Sequence, residues 1–139
     1  MKFQVFVNEK KNTVAVKAIN PINEYYIEYC NFYKKHGLRA DSTLFDEFIN
    51  IYGRQINKMV GIATCNTAAG DIFNEEIGRK IAHERFMKVF ESYRINMYHM
   101  ITAKMDNIAW SAATRMNNCA GRRNERDTKI SQIIRGTKE

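Results

Sequence analysis

From Ile72 to Met116, apolar residues recur every three or four positions with no proline to interrupt them. Ile72, Phe73, Ile77, Ile81, Ala82 and Phe86 open the stripe, and Val89, Phe90, Tyr93, Met97 and Ile101 carry it on. Met105, Ile108, Ala109, Ala112 and Met116 keep the register as far as Cys119-Ala120-Gly121. This period is helical. A single helix over 72–119 would exceed about 60 Å at about 1.5 Å per residue, whereas a compact domain of this size is only about 30 Å across. Two outcomes satisfy both numbers. The helix breaks near 102–107, where Asp106-Asn107 is weakest by propensity, and its second half folds back; or it protrudes and needs a partner, for which a homodimer through this helix is one candidate. Trp110 is expected to be buried in either case. The opposite face carries Arg79, Lys80, Lys88, Arg94 and Lys104.

The chain upstream is of mixed type. Phe3, Val5 and Val7 alternate with Lys2, Gln4 and Phe6, and Thr13 to Lys17 is again strand-like. The two runs read as a β-hairpin around a five-residue loop, Asn8 to Asn12, with Lys10 and Lys11 at its tip. Those lysines suit a phosphate contact or simply a solvated loop. Asn20-Pro21 then ends the strand and opens a helix, since a first-turn proline lacks an N–H that would be unpaired anyway. Ile22, Tyr25, Tyr26, Tyr29, Phe32 and Tyr33 follow at helical spacing up to Gly37, a fitting residue beyond a helix end. The rings could stack bases or pack into the core, and their adherence to one stripe favours the core. Asp41-Ser42 offers a cap to a second helix over 43–52, extending as far as Asn57. Met59 to Cys65 reads as a third strand whose Gly61 and Ala63 imply close approach of something large on one face. Asn66 to Gly70 forms a loop of small residues. Asp71 or Asn74 can cap the long helix, with Glu75 and Glu76 in its first turn where the helix dipole favours acid.

With 139 residues, one domain is the default, and a hydrophobic core is affordable without staples. The net charge is +7, and the excess gathers in residues 1–37, 79–104 and 115–139. Positive charge so placed attracts phosphates, anionic lipid or acidic protein faces, or merely confers solubility. Cys30, Cys65 and Cys119 are odd in number and far apart, as are His36, His83 and His99, so neither a disulfide framework nor a metal site is expected. The N-terminal apolar run is too short for a signal peptide, and no run approaches the ~18 apolar residues of a membrane span. A cytoplasmic protein with reduced thiols is the expectation, with no cofactor.

Catalytic patterns are thin. The chain has no nucleophile elbow, P-loop, zincin helix or dinucleotide fingerprint. Glu75 and Glu76 are adjacent and point about 100° apart on a helix, so they do not make an acid pair. His83, between Arg79 and Arg85, lacks a nearby acid cluster. Binding without catalysis is the expected mode. In the turn Gly78-Arg79-Lys80, a small residue lowers one side while two cations project beside it, with His83 and Lys88 further along. This arrangement suits contacts that position a duplex without reading its sequence; a solvated face above a packed stripe is the other reading.

The hairpin Val5–Val16, the strand Val60-Gly61-Ile62-Ala63-Thr64-Cys65 and the run Phe73-Asn74-Glu75-Glu76-Ile77-Gly78-Arg79-Lys80-Ile81-Ala82 resemble a family of small proteins encoded in bacteriophages and mobile elements of Gram-positive bacteria. That family's pattern is a hairpin with an Asn-Pro-Glu-Lys-type turn, then G-x-A-x-C, a short D-x-F element and a G-K-K-[IL]-A helix. The order of three strands and a helix is also similar to the C-terminal part of a double-stranded-RNA-binding domain. The likeness covers about a third of the chain. Two features depart from it: Asn66-Thr67-Ala68-Ala69-Gly70 replaces the usual proline and acid after the cysteine, and the helices of 22–57 are inserted after the hairpin.

Taken together, an α+β fold is expected: a three-stranded antiparallel sheet packed on a long C-terminal helix or helical pair, in one domain over 1–121 with a helical insertion at 22–57. A basic tail with a short helix, marked by Ile130, Ile133 and Ile134, follows over 122–139. The expected function is a phage or mobile-element accessory protein that binds duplex or protein-bound RNA or DNA. Its contacts would come from Lys10, Lys11, Arg79, Lys80, His83, Lys88, Arg122, Arg123 and Arg126. The alternative is a phage-borne inhibitor of a host nucleic-acid-handling protein, such as an anti-CRISPR acting on an RNA-guided nuclease, with the aromatic helix 22–35 as contact surface.

Overall fold

The computed structural model describes residues 1–65, Gly70 and 74–138, with side chains as far as Gly136. The elements are β1 (Phe3–Asn8), β2 (Thr13–Ala18), α1 (Pro21–Lys35), α2 (Ser42–Asn57), β3 (Gly61–Thr64) and α3 (Glu75–Lys138). The fold is α+β: an antiparallel sheet of order β1-β2-β3 packed with a long C-terminal helix, with two helices between strands 2 and 3. The chain divides into two units, Met1–Met100 and Ile101–Glu139. The division falls after Met100, 21 residues before the tail boundary that the sequence suggests at 121/122.

In the first unit, β2 is the central strand. Val5 pairs with Val16 and Val7 with Val14, while Val14 and Val16 face Ala63 and Gly61 across β3. This register puts Val14, Val16, Ala63 and Gly61 on one face, and all four are buried. The hairpin turn is tighter than the sequence suggests, because Asn8 belongs to β1. The Asn12 amide donates to the Glu9 carbonyl and the Lys11 amide to Asn8 Oδ1. Asn12 takes the left-handed conformation, φ 49°, which asparagine tolerates better than most residues.

Each helix end has a local cause. Asn20 is left-handed and Pro21 opens α1. At its other end, the Leu38 amide donates to the Tyr33 carbonyl and that of Gly37, φ 67°, to the Lys34 carbonyl, so glycine-dependent capping stops the helix. The Asp41 carboxylate accepts from the amides of Thr43 and Leu44 to start α2. That helix runs through Gly53 to Asn57, where Gly53 is buried beside Ile49 and Ile22. For α3 the cap is Asn74, whose Oδ1 accepts from the Ile77 amide. Asp71, the other candidate cap, lies outside the described residues, as do Asn66–Ala69 of the small-residue loop and Ile72-Phe73. Asp106 and Asn107 lie inside α3, so no break occurs at 102–107, and the tail residues 122–138 belong to the same helix instead of a separate short one.

Residues Ala82, Phe86 and Phe90 of α3 bind sheet and helices together. The buried aromatic rings of α1 and α2 converge there: Tyr25 stacks on Phe90 at 4.5 Å between centroids, Phe48 meets Tyr25 at 5.8 Å, and Phe45 meets Tyr29 at 5.2 Å. The Tyr25 hydroxyl donates to the Phe90 carbonyl at 2.9 Å, and the Tyr29 hydroxyl to the Asp41 carbonyl. Tyr25, Tyr29 and Tyr33 thus belong to the core and leave no stacking platform on that stripe. Arg94 also serves this junction: it is not a free surface cation but pairs with Glu28 at 2.9 Å and with Glu91 at 2.8 Å.

The close approach implied by Gly61 is to α3 itself. A Cβ on Gly61 would collide with the Ala82 carbonyl and come within 2.5 Å of the Phe86 nitrogen. Backbone cannot rotate away as a side chain can, so Gly61→Ala is expected to destabilise the first unit by about 3 kcal/mol or more, read as a lower urea midpoint; an unchanged midpoint would contradict this packing. Burial also raises the Tyr25 and Tyr29 hydroxyls well above the usual tyrosine value, and burial followed by the Glu28 hydrogen bond pushes Tyr98 up to about 12. A raised folded-state pKa means that the stabilisation is complete below about pH 10 and is lost as pH climbs through the shifted values. Alkaline titration should therefore show exposed tyrosines ionising first, and Tyr25 and Tyr29 only in a cooperative unfolding step. Complete phenolate formation with the helical dichroism intact would be the contrary result.

Candidate nucleic-acid interface

At the start of α3 the helix has two distinct sides. Gly78 faces the sheet, where a Cβ would come within 2.9 Å of the Val14 side chain. Its small size therefore serves helix–sheet packing and not a phosphate. Arg79 is paired with Glu75 at 2.6 Å and Lys80 with Glu76 at 3.6 Å, each one turn back on the exposed surface. Such i,i+4 pairs are weak but place a carboxylate beside each cation, which reduces the field a phosphate would meet. His83 lies edge-on to the Phe3 ring at 4.9 Å and near Glu84. Lys80 and Lys88 share a shallow depression of about 360 Å³ with Ile81, Glu84 and Arg85. Arg85 is itself engaged, donating to the Ile62 carbonyl at 2.7 Å and so covering part of the open edge of β3. Lys10 and Lys11 are exposed at the hairpin turn. The expected cluster at the helix start is thus partly neutralised and partly structural.

The second unit is different. From Thr102 to Gly136 only Met105 and Ala120 are even half-buried. Trp110, expected in the core, is 73% exposed. The physical reason is that, among the described residues, nothing packs on this length of α3: Ile108 and Met116 on the apolar stripe are also exposed, and Trp110, about 140° from Met105 at about 100° per residue, lies off that stripe as well. Trp110, Ser111, Thr114, Arg115, Asn118 and Arg122 line an open groove of about 510 Å³ along the helix. No acid lines it. Among the described residues every ion pair falls between Glu28 and Arg94, and none engages Arg115, Arg122, Arg126 or Lys129. Arg122 has a single long contact, 3.8 Å to Cys119 Sγ.

Arg115, Arg122 and Lys129 are spaced by seven residues, which returns them to one side of the helix about 10 Å apart. Of the tail cations expected from sequence, Arg122 belongs to this groove, whereas Arg123 and Arg126 turn toward the apolar stripe. Arg115 and Trp110 are additions; the seven-residue spacing and the off-stripe tryptophan were the sequence signals for them. Among the described residues no three histidine, cysteine or acidic side chains converge to hold a metal, and no helix is long and apolar enough to cross a membrane. No family model, curated protein or solved structure matches the chain.

Proposed function

We propose that this chain is a non-catalytic nucleic-acid-binding protein whose principal contact is the groove Trp110–Arg122 of α3, extended by Lys129. The observation that carries the reading is an exposed indole beside two guanidinium groups with no acid between them. Guanidinium groups suit phosphates, an indole suits an unstacked base, and asparagine, serine and threonine side chains suit sugar and base edges. Neighbouring groups at the start of α3 offer less, because carboxylates already accompany Arg79 and Lys80. A phage or mobile-element origin rests on the likeness of the hairpin Val5–Val16, Val60–Cys65 and Phe73–Ala82 alone. Inhibition of a host nucleic-acid-handling protein is the second reading, supported by exposed apolar residues such as Met116 and Ile133 on the same helix.

The test is binding of labelled duplex and single-stranded RNA and DNA by fluorescence anisotropy from about 50 to 200 mM salt, where phosphate contacts weaken steeply. Arg115→Ala/Arg122→Ala is expected to weaken binding on all sequences and to flatten the log–log salt slope by about 0.9 per lost phosphate contact on duplex. Trp110→Ala should weaken the single-stranded ligands selectively. Arg79→Ala/Lys80→Ala should change binding less. Loss of binding only in the last variant would move the interface to the helix start. Absence of micromolar binding to any ligand would leave the host-protein reading ahead.

A further inference from the structure

Among the described residues the apolar side of α3 from Ala109 to Ile133 is exposed, and its residues repeat by alternating steps of four and three. Met105, Ala109, Ala112, Met116 and Cys119 make the first half of this seam. Arg123 and Arg126 follow in register, and Ile130 and Ile133 complete it. Met116 is 67% exposed, Ile133 66% and Ile130 54%, and in this seam only Met105 at its start is half-buried. A 3.5-residue repeat of this kind is the seam that a second helix covers in a coiled coil.

We infer that the occupant is a second copy of the same segment, running antiparallel, with Met116 opposite Cys119 of the second copy. The two halves of the seam are complementary in size only in that orientation. With Met116 over Cys119, Ala112 meets Arg123 of the second copy and Ala109 meets Arg126 of the second copy. Each long arginine stem then lies over a methyl group and carries its charge to the rim. Met105 packs on Ile130 and Thr102 on Ile133, so the apolar ends close on each other. Asp106, three residues before Ala109, stands beside the position that receives Arg126, which supplies charge complementarity. A parallel, in-register pair would instead set Arg123 against Arg123 and Arg126 against Arg126 in successive layers, which like-charge repulsion disfavours.

The pairing spans Thr102 to Ile133, roughly 47 Å at about 1.5 Å per residue, and two faces of that length and ~10 Å width give ~1,000 Å² in all. This is near the lower bound for a specific interface, so the dimer is reversible. It also brings Arg115 alongside Arg122 of the second copy, doubling the row of cations. Salt screens that repulsion, so dimerisation strengthens as ionic strength rises. The inference rests on the seam alone and stands apart from the nucleic-acid reading.

The experiment has two parts on the full chain. Sedimentation equilibrium across a micromolar concentration series should show mass rising from 16.2 kDa toward twice that value, further at higher salt. Oxidative cross-linking then fixes the orientation on a Cys119→Ser background. Met105→Cys with Ile130→Cys should give a covalent dimer, since the two sites are roughly 37 Å apart on one helix and cannot bond within a chain. Either substitution alone should give none, which also controls for Cys30 and Cys65. A monomer at every concentration overturns the dimer. Cross-linking by a single variant, or a dimer in which the double variant fails to cross-link, overturns the antiparallel register.

Discussion

The contact between Gly61 and the α3 backbone at Ala82 and Phe86 is the constraint on which the first unit depends. Three strands alone are marginal, and their one buried face needs a helix laid close against it. A glycine in β3 lets that helix descend to backbone contact, and Gly78 lets it pass Val14 in the same way. With α3 so seated, Phe86 and Phe90 reach the rings of α1 and α2, and Tyr25 can donate to the Phe90 carbonyl. The inserted helices are therefore packed on the same helix that holds the sheet, and Tyr25, Tyr29, Tyr33, Phe45 and Phe48 are buried in doing so.

The same helix supplies the candidate interface, but with a different division of labour along its length. In the first unit four of its cations are engaged: Arg94 by Glu28 and Glu91, Arg85 by a strand carbonyl, Arg79 and Lys80 by carboxylates one turn away. From Thr102 to Gly136, among the described residues, no ion pair engages the arginines and the apolar residues are exposed save for the half-buried Met105 and Ala120. A helix of this kind gains little from its own packing, since most helical stability in proteins comes from tertiary burial. An outside surface that covers one side or neutralises the other supplies what the chain does not.

Much of the fold was legible in the pattern of residues. Alternation in Phe3–Val7, the cap at Asp41, the glycine at 37 and the stripe from Ile77 each specify local structure by short-range chemistry, and each element is present. The site was less legible. A stripe continuing through Met105, Ala112 and Met116 states that one side is apolar; it does not state whether anything within the chain covers it. Trp110 illustrates the difference, since its off-stripe position was readable but its exposure depends on tertiary structure. Gly78 misleads in the opposite sense, because a small residue beside two cations reads as room for a phosphate until Val14 is seen to occupy that side.

The proposed binding element is α3 beyond Met100. Amide hydrogen exchange, with and without a nucleic-acid duplex, tests this most directly. Below the micromolar range, where the single chain predominates, slow exchange is expected in Tyr25–Tyr33 and Ala82–Met97 in both states, and fast exchange over 102–136 that slows when the duplex is present. Slowing confined to the start of α3 and the hairpin turn, or a 102–136 segment unaffected by any nucleic acid, would contradict it.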